Sequence, residues 1–212
     1  MLWIISAAVI SYLVGSIPTA YIFGRLLKGI DIRQCGSGNV GATNALRVMG
    51  KGAGITILIL DMLKGFIVTV FLADQALIQS RILSEEALRV LLGVGAICGH
   101  NWTLFLRFKG GKGIATTLGV LLGLALRLPG LWAVFLTMVL TWGIFFTVIK
   151  IVSVASVIMG IALPFYMFLF TRSKFLVLFG TLLSLLIILR HRLNLIRFLQ
   201  GKEPRLDFKK SK

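Results

Sequence analysis

Apolar residues fill long runs of this chain, and polar residues collect in a few short breaks between them. The runs lie at about Leu2 to Phe23, Ala53 to Ala73, Ala87 to Leu106, Ile114 to Leu126, Leu131 to Ile149, Ile151 to Phe170 and Phe175 to Leu189. Several reach about 18 residues or more with few charges, the length a helix needs to cross a bilayer. The pattern predicts an all-α, polytopic integral membrane protein with seven transmembrane helices. The fourth and seventh runs are short, and the break at Leu128, Pro129 and Gly130 reads as either a tight hairpin or a kink, so five or six crossings are the alternatives. No basic residue precedes Arg25 and no small-residue cleavage site follows a short apolar core, so the first run is expected to remain as helix one. Neither a linker nor an internal repeat stands out, and residues 1–212 are read as a single domain.

Composition agrees with that class. Hydrophobic residues make up 58% of the 212 and charged residues 14%, too apolar a mixture for a soluble domain. The net charge of +16 would suggest nucleic acid in a soluble protein, but here the cations flank apolar runs. That placement reads as orientation in, and attraction to, anionic lipid, so no nucleic acid is expected. With the amino terminus outside and the carboxyl terminus inside, 17 Lys and Arg fall on the cytoplasmic side, the lysines of the tail included. The external side receives Arg81, Arg89, Arg127, Arg172 and Lys174, and Lys64, in the second run, completes the 23. The asymmetry favours this orientation and puts the three most polar segments on one face, the cytoplasmic one. Cys35 and Cys98 have neither CxxC nor metal-ligand spacing, and no disulfide is expected.

Those segments are GSGNVGATNALR (Gly36 to Arg47), FKGGKG (Phe108 to Gly113) and HRLNLIRFLQGKE (His191 to Glu203). The first formally satisfies GxGxxG, but it follows a membrane run and no acidic residue lies about twenty positions on, so the dinucleotide reading is rejected. What survives is physical: Gly36, Gly38 and Gly41 free to present N–H groups, Ser37, Asn39, Thr43 and Asn44 as short hydrogen-bonding groups, and Arg47 as a bidentate anion fork. A polar re-entrant loop whose small residues serve packing is the plainer alternative. In the second segment Lys112 is followed by Gly113 where a Walker A loop needs Ser or Thr, which argues against an ATPase. Lys109 and Lys112 around Gly110, Gly111 and Gly113 can still grip a phosphate, or simply form a cytoplasmic turn with orienting lysines. In the third, His191 and Asn194 share a helix face if the last helix continues past the membrane edge, with Arg197 one turn on. His191 then serves as base or hydrogen-bonding group, or only as a satisfied structural histidine. Glu203 suits holding the tail in place. Asp61 and Lys64, also three apart, either bracket a substrate or form an ion pair that makes both tolerable inside the membrane.

Several chemistries are excluded. There is no carboxylate cluster for Mg²⁺ or Zn²⁺, and no cofactor is expected. Phe105 stands where an HxxxxD acyltransferase pattern starting at His100 would need Asp, and no GxSxG elbow supplies a nucleophile.

GSGNVGATNALR, GHNWTLFLRFKGGKGIAT and HRLNLIRFLQGKE together resemble, in order, the three motifs of the bacterial acyl-phosphate:glycerol-3-phosphate acyltransferases, a likeness that spans the chain. The resemblance implies a multi-pass enzyme of the bacterial inner membrane, with its active site facing the cytoplasm. It would move a fatty acyl group from acyl phosphate to the sn-1 hydroxyl of glycerol 3-phosphate, giving lysophosphatidic acid and inorganic phosphate. Carried over by position, it implies Ser37 and Arg47 as essential, Gly110, Gly111 and Gly113 with Lys112 as a glycerol 3-phosphate loop, His191 and Asn194 as the third motif's pair, and Glu203 as structural. Ser153 or Ser156 resembles a further polar position near substrate, and Thr103 departs from the pattern where Pro often stands. The implied partners are the two substrates, membrane lipid and, upstream, the enzyme that forms acyl phosphate; no obligate protein partner is inferred. A transporter for a small phosphorylated anion is the alternative from another class, and a lipid scaffold a third, which leaves Arg47, Lys112 and His191 without a purpose.

Overall fold

A computed structural model of the chain describes residues 1–80 and 82–206. Arg81 and the tail lysines Lys209, Lys210 and Lys212, which enter the charge asymmetry, lie outside the described residues. The described residues are helical with connecting loops, and five stretches are long and apolar enough to cross a membrane: Leu2–Lys28, Lys51–Gln79, Leu131–Ile149, Val152–Phe170 and Lys174–Leu199. They fall into two compact units, one of Met1–Arg127 and one beginning at Leu128.

In the first unit the opening run is two helices, α1 (Leu2–Ser16) and α2 (Thr19–Lys28), rather than one. Pro18 has no N–H to continue the ladder, so the helix breaks at Ile17 and Pro18 and restarts at Thr19. The short α3 (Ala42–Met49) follows inside the first polar segment. Next come α4 (Lys51–Ile67) and α5 (Ala73–Gln79), joined without a gap by a π-helical turn over Val68–Leu72. The buried Arg89 explains that turn: its guanidinium donates to the Thr69 carbonyl (2.7 Å) and pairs with Asp74 (2.6 Å) and Glu85 (2.7 Å). An Arg at that depth is tolerable because its donors meet a freed carbonyl and two carboxylates.

Helix α6 (Glu85–Asn101) starts at Ser84, whose hydroxyl accepts the Ala87 N–H, and stops five residues short of the expected Leu106. After it come a 3₁₀ turn at Leu104–Leu106 and α7 (Ile114–Ala125). Among the described residues, apolar clusters hold this unit. One gathers Ile4, Ala7, Ala73, Ala76, Leu88 and Leu92; a second gathers Ala20, Ile32, Val40, Ala45, Ile57 and Leu106. The second cluster matters for chemistry, because Ile32, Val40 and Ala45 anchor the first polar segment in it.

The second unit holds α8 (Leu131–Ile149), α9 (Val152–Phe170) and α10 (Lys174–Leu199). Helix α8 has the span read from the sequence. Helix α10 starts at Ser173, whose hydroxyl accepts the Leu176 N–H, and runs ten residues beyond the expected Leu189, because no Pro or Gly lies between Leu189 and Gly201. The third polar segment is therefore mostly helix.

Candidate active site

The loop of residues 36–41 is organised by one side chain. Asn44, on the first turn of α3 and buried, accepts the Ser37 N–H at 2.8 Å and donates to the carbonyls of Ile32 (3.3 Å), Cys35 (3.0 Å) and Asn39 (3.1 Å). Its amide thus positions the loop from inside. The loop reverses through Gly36 (φ 60°) and Gly38 (φ 71°), conformations that side chains with a Cβ rarely take. Ser37 is left exposed on the outer side, Asn39 lies against Gly41, and Thr43 and Arg47 are half-buried at opposite ends of α3.

The FKGGKG segment is shaped by the end of α6. The Gly110 and Gly111 N–H groups donate to the carbonyls of Asn101 (3.2 Å) and His100 (3.0 Å), carbonyls that the helix end leaves without intrahelical partners. These two amides are thus engaged with the end of α6. The glycines are needed for close approach: a Cβ on Gly110 would overlap the His100 carbonyl, and one on Gly111 would overlap the His100 ring and sit 2.8 Å from the Val40 carbonyl. Just before them Arg107 (φ 55°) and Phe108 (φ 61°) hold the left-handed conformation without glycine's freedom, secured by N–H bonds to Leu104 (3.3 Å) and Thr103 (2.8 Å). The strained approach delivers Lys109 to the surface and leaves Lys112 half-buried beside Gly113 (φ 80°), which opens α7. As N-cap, Gly113 has no side chain to cap that helix start, whose positive end follows directly on Lys112.

The Val40 carbonyl against Gly111 shows that the first two segments meet. Around their meeting point is a small pocket bordered by Ser16, Thr19, Val40, Lys64, His100, Gly110 and Gly111. Neither His100 nor the Asp61 and Lys64 pair was placed at the site by sequence reasoning. The three-residue spacing of Asp61 and Lys64 was the available signal, and it correctly suggested their ion pair, seen at 2.7 Å.

In the second unit the third segment is gathered on Glu203. Its carboxylate accepts from Ser153 Oγ (2.7 Å), Asn194 Nδ2 (2.5 Å) and Arg197 Nε (2.9 Å). Burial by itself would push this carboxyl up, but the bonds from Asn194, Ser153 and Arg197, with the Arg197 charge, outweigh it and hold the group below the usual carboxylate value. His191 is buried one turn before Asn194, with Nδ1 2.9 Å from the Ile187 carbonyl. A carbonyl only accepts, so this contact calls for a proton on Nδ1 and, in the neutral form, leaves Nε2 as the acceptor. The two serines divide: Ser153 joins Glu203, while Ser156 accepts from Trp142 Nε1 at 3.2 Å and donates to the Val152 carbonyl at 2.8 Å.

The glycerol-3-phosphate acyltransferase family pattern matches residues 5–201. A glycerol-3-phosphate acyltransferase of Prochlorococcus marinus (strain NATL2A) is 43% identical over 200 residues, covering 92% of this chain and 94% of that protein. One from Chlorobium phaeobacteroides (strain DSM 266 / SMG 266 / 2430) is 40% identical over 238 residues, covering 98% of each. The fold is similar to the crystal structure of PlsY (YgiH), an integral membrane glycerol 3-phosphate acyltransferase, in its glycerol 3-phosphate form, with a TM-score of 0.84 and 34% identity over 96% of each chain. Its lysophosphatidic acid form gives a TM-score of 0.80 at 34% identity, over 98% of this chain and 97% of that one. With three motifs in order, an all-helical apolar fold and matches along nearly its whole length, the chain belongs to the glycerol-3-phosphate acyltransferase family.

Proposed function

We propose that the chain transfers a fatty acyl group from acyl phosphate to the sn-1 hydroxyl of glycerol 3-phosphate, releasing lysophosphatidic acid and inorganic phosphate. The contact between the two glycine-bearing segments, where the Val40 carbonyl abuts Gly111, carries this reading, because both substrates bear phosphate and each segment pairs a cation with glycine-shaped backbone. Relatives that act on glycerol 3-phosphate, with structures in substrate and product forms, support the acceptor and the product. The donor rests on chemistry: an acyl phosphate is an activated mixed anhydride, and neither a thioester-type HxxxxD pattern nor a serine elbow is present in the sequence.

The acceptor hydroxyl attacks the acyl carbonyl, the bond from that carbon to the phosphate oxygen breaks, and the hydroxyl proton leaves on the departing phosphate or by way of His191. Arg47 and Lys112, with the start of α7, bind phosphate charge. Ser37, Asn39 and the loop amides orient the acyl phosphate and its developing oxyanion, while Gly36, Gly38, Gly41, Thr43 and Asn44 shape that loop. His191 and Asn194 orient the attacking hydroxyl, Ser153 and Glu203 hold Asn194, and Lys109 draws anions from solution. No covalent acyl-enzyme forms, and no metal is required, in keeping with only seven acidic residues in the chain. We further propose that the chain acts as a single acyltransferase domain of the bacterial inner membrane, crossing it seven times with its amino terminus outside and its chemistry at the cytoplasmic face. The excess of cytoplasmic-side Lys and Arg supports that orientation.

The test is phosphate release by purified, detergent-solubilised protein given palmitoyl phosphate and glycerol 3-phosphate without metal or nucleotide. Release that needs both substrates and falls about a hundredfold or more in Ser37→Ala and Arg47→Ala is the expected result. Labelled acyl group trapped on Ser37 overturns direct transfer, and counterflow of glycerol 3-phosphate in vesicles without a donor favours transport instead.

A further inference from the structure

We propose that the buried cluster of Asp61, Lys64 and His100 is a positioning element of the reaction, setting the place of the glycine loop and thereby the affinity for glycerol 3-phosphate. This deepens the preceding reading and rests on it. Asp61 and Lys64 are 1% and 5% exposed, and their ion pair measures 2.7 Å. If the pair existed only to neutralise two charges in an apolar interior, the two residues would suffice. Instead Asp61 Oδ1 also accepts the Thr19 hydroxyl at 2.6 Å, Lys64 donates to the Ile17 carbonyl at the α1–α2 break, and His100 Nδ1 lies 3.7 Å from Asp61 Oδ1.

His100 is the link to the loop. One edge of its ring faces the Asp61 carboxylate, and the other edge fills the space a Cβ on Gly111 would need, while its own carbonyl accepts the Gly111 N–H at 3.0 Å. A rigid five-membered ring between a fixed carboxylate and a glycine sets the distance from α4 to the loop. The carboxylate favours the orientation in which Nδ1 faces it, as second-layer carboxylates orient ligating histidines. Because Gly111 also abuts the Val40 carbonyl, a shift of His100 would be felt where the two phosphate-binding segments meet.

The experiment is steady-state kinetics of the full-length, detergent-solubilised protein with palmitoyl phosphate and glycerol 3-phosphate, for wild type, His100→Ala, His100→Gln, Gly111→Ala and the double variant His100→Ala with Gly111→Ala. His100→Ala should raise KM for glycerol 3-phosphate about tenfold, with kcat within about twofold and KM for palmitoyl phosphate unchanged. His100→Gln, which keeps bulk and one polar contact, should recover most of that loss. The double variant should lose less in kcat/KM than the product of the single losses, since both act at one contact. If His100→Ala fails to fold, the same KM split is read from His100→Asn. An unchanged KM for glycerol 3-phosphate, a loss confined to kcat, or losses in both substrates' KM that track a falling Tm would each overturn the inference. Wild-type protein unable to release phosphate from the two substrates would remove the functional reading and this inference with it, whereas active wild type with a silent His100→Ala removes the inference alone.

Discussion

The glycine loop at residues 108–113 and the helix end at residues 191–203 present polar groups by opposite means. In the loop, two backbone N–H groups and two missing Cβ atoms press the chain against the end of α6, so its geometry depends on close backbone approach. At the helix end, one carboxylate collects three side chains, Ser153, Asn194 and Arg197. Backbone contact leaves almost no room for adjustment, because atoms that already touch cannot yield without moving a helix. A side-chain hub yields by degrees, since each donor can rotate or recruit water. The loop of residues 36–41 lies between these extremes: glycines give it its turns, but Asn44 ties it.

The comparison is broken most sharply by Gly110→Ala, whose Cβ would overlap a backbone oxygen. It should lower kcat/KM about a hundredfold. Gly52→Ala in α4, where a Cβ meets nothing within 4 Å, should leave turnover unaltered and raise Tm slightly. Equal effects of the two would refute steric necessity at the loop. Next in size, Asn44→Ala strips the loop of an acceptor and a donor shared among three carbonyls, and should destabilise the protein by about 2–3 kcal/mol, read from Tm or denaturant midpoint in micelles.

A smaller effect belongs to the hub. Glu203→Gln keeps shape and loses charge, so about 1–2 kcal/mol and a severalfold fall in turnover are expected. Its sign with pH is determined: the folded carboxyl is held below its ordinary value, so its contribution is present above that value and fades as pH falls through the folded one. Asp31 behaves alike. Its carboxyl is lowered from 3.8 to about 2, chiefly by the Arg33 hydrogen bond, so its contribution is lost between those values as pH falls. The Asp31 pair is partly solvated, with Arg33 39% exposed, so Asp31→Asn should flatten the acid limb of a Tm profile less than Glu203→Gln does.

Much of the helical skeleton was legible in the chain. Helix α8 lies between Gly130 and Lys150 as hydropathy and flanking turn signals indicate, and the spacing of Asp61 and Lys64 offered their ion pair as one of two readings. Other features depended on partners distant in sequence. The π turn at Val68–Leu72 answers to Arg89, twenty positions away, and the stop of α6 at Asn101 answers to glycines that take up its last carbonyls. Pro18 was a readable break signal that a continuous apolar run concealed.

By itself the sequence determined the membrane class, the three polar segments and the family, because hydropathy, charge placement and motif order are properties of neighbours along the chain. Tertiary structure alone decided which glycine amides are already engaged, that Asn44 works inward while Ser37 faces outward, that Ser153 and not Ser156 joins Glu203, and that His100 stands between Asp61 and Gly111. A hydrogen bond or a steric contact is fixed by where two atoms lie in space, and residues as far apart as Ser153 and Glu203 carry no local pattern that records their meeting.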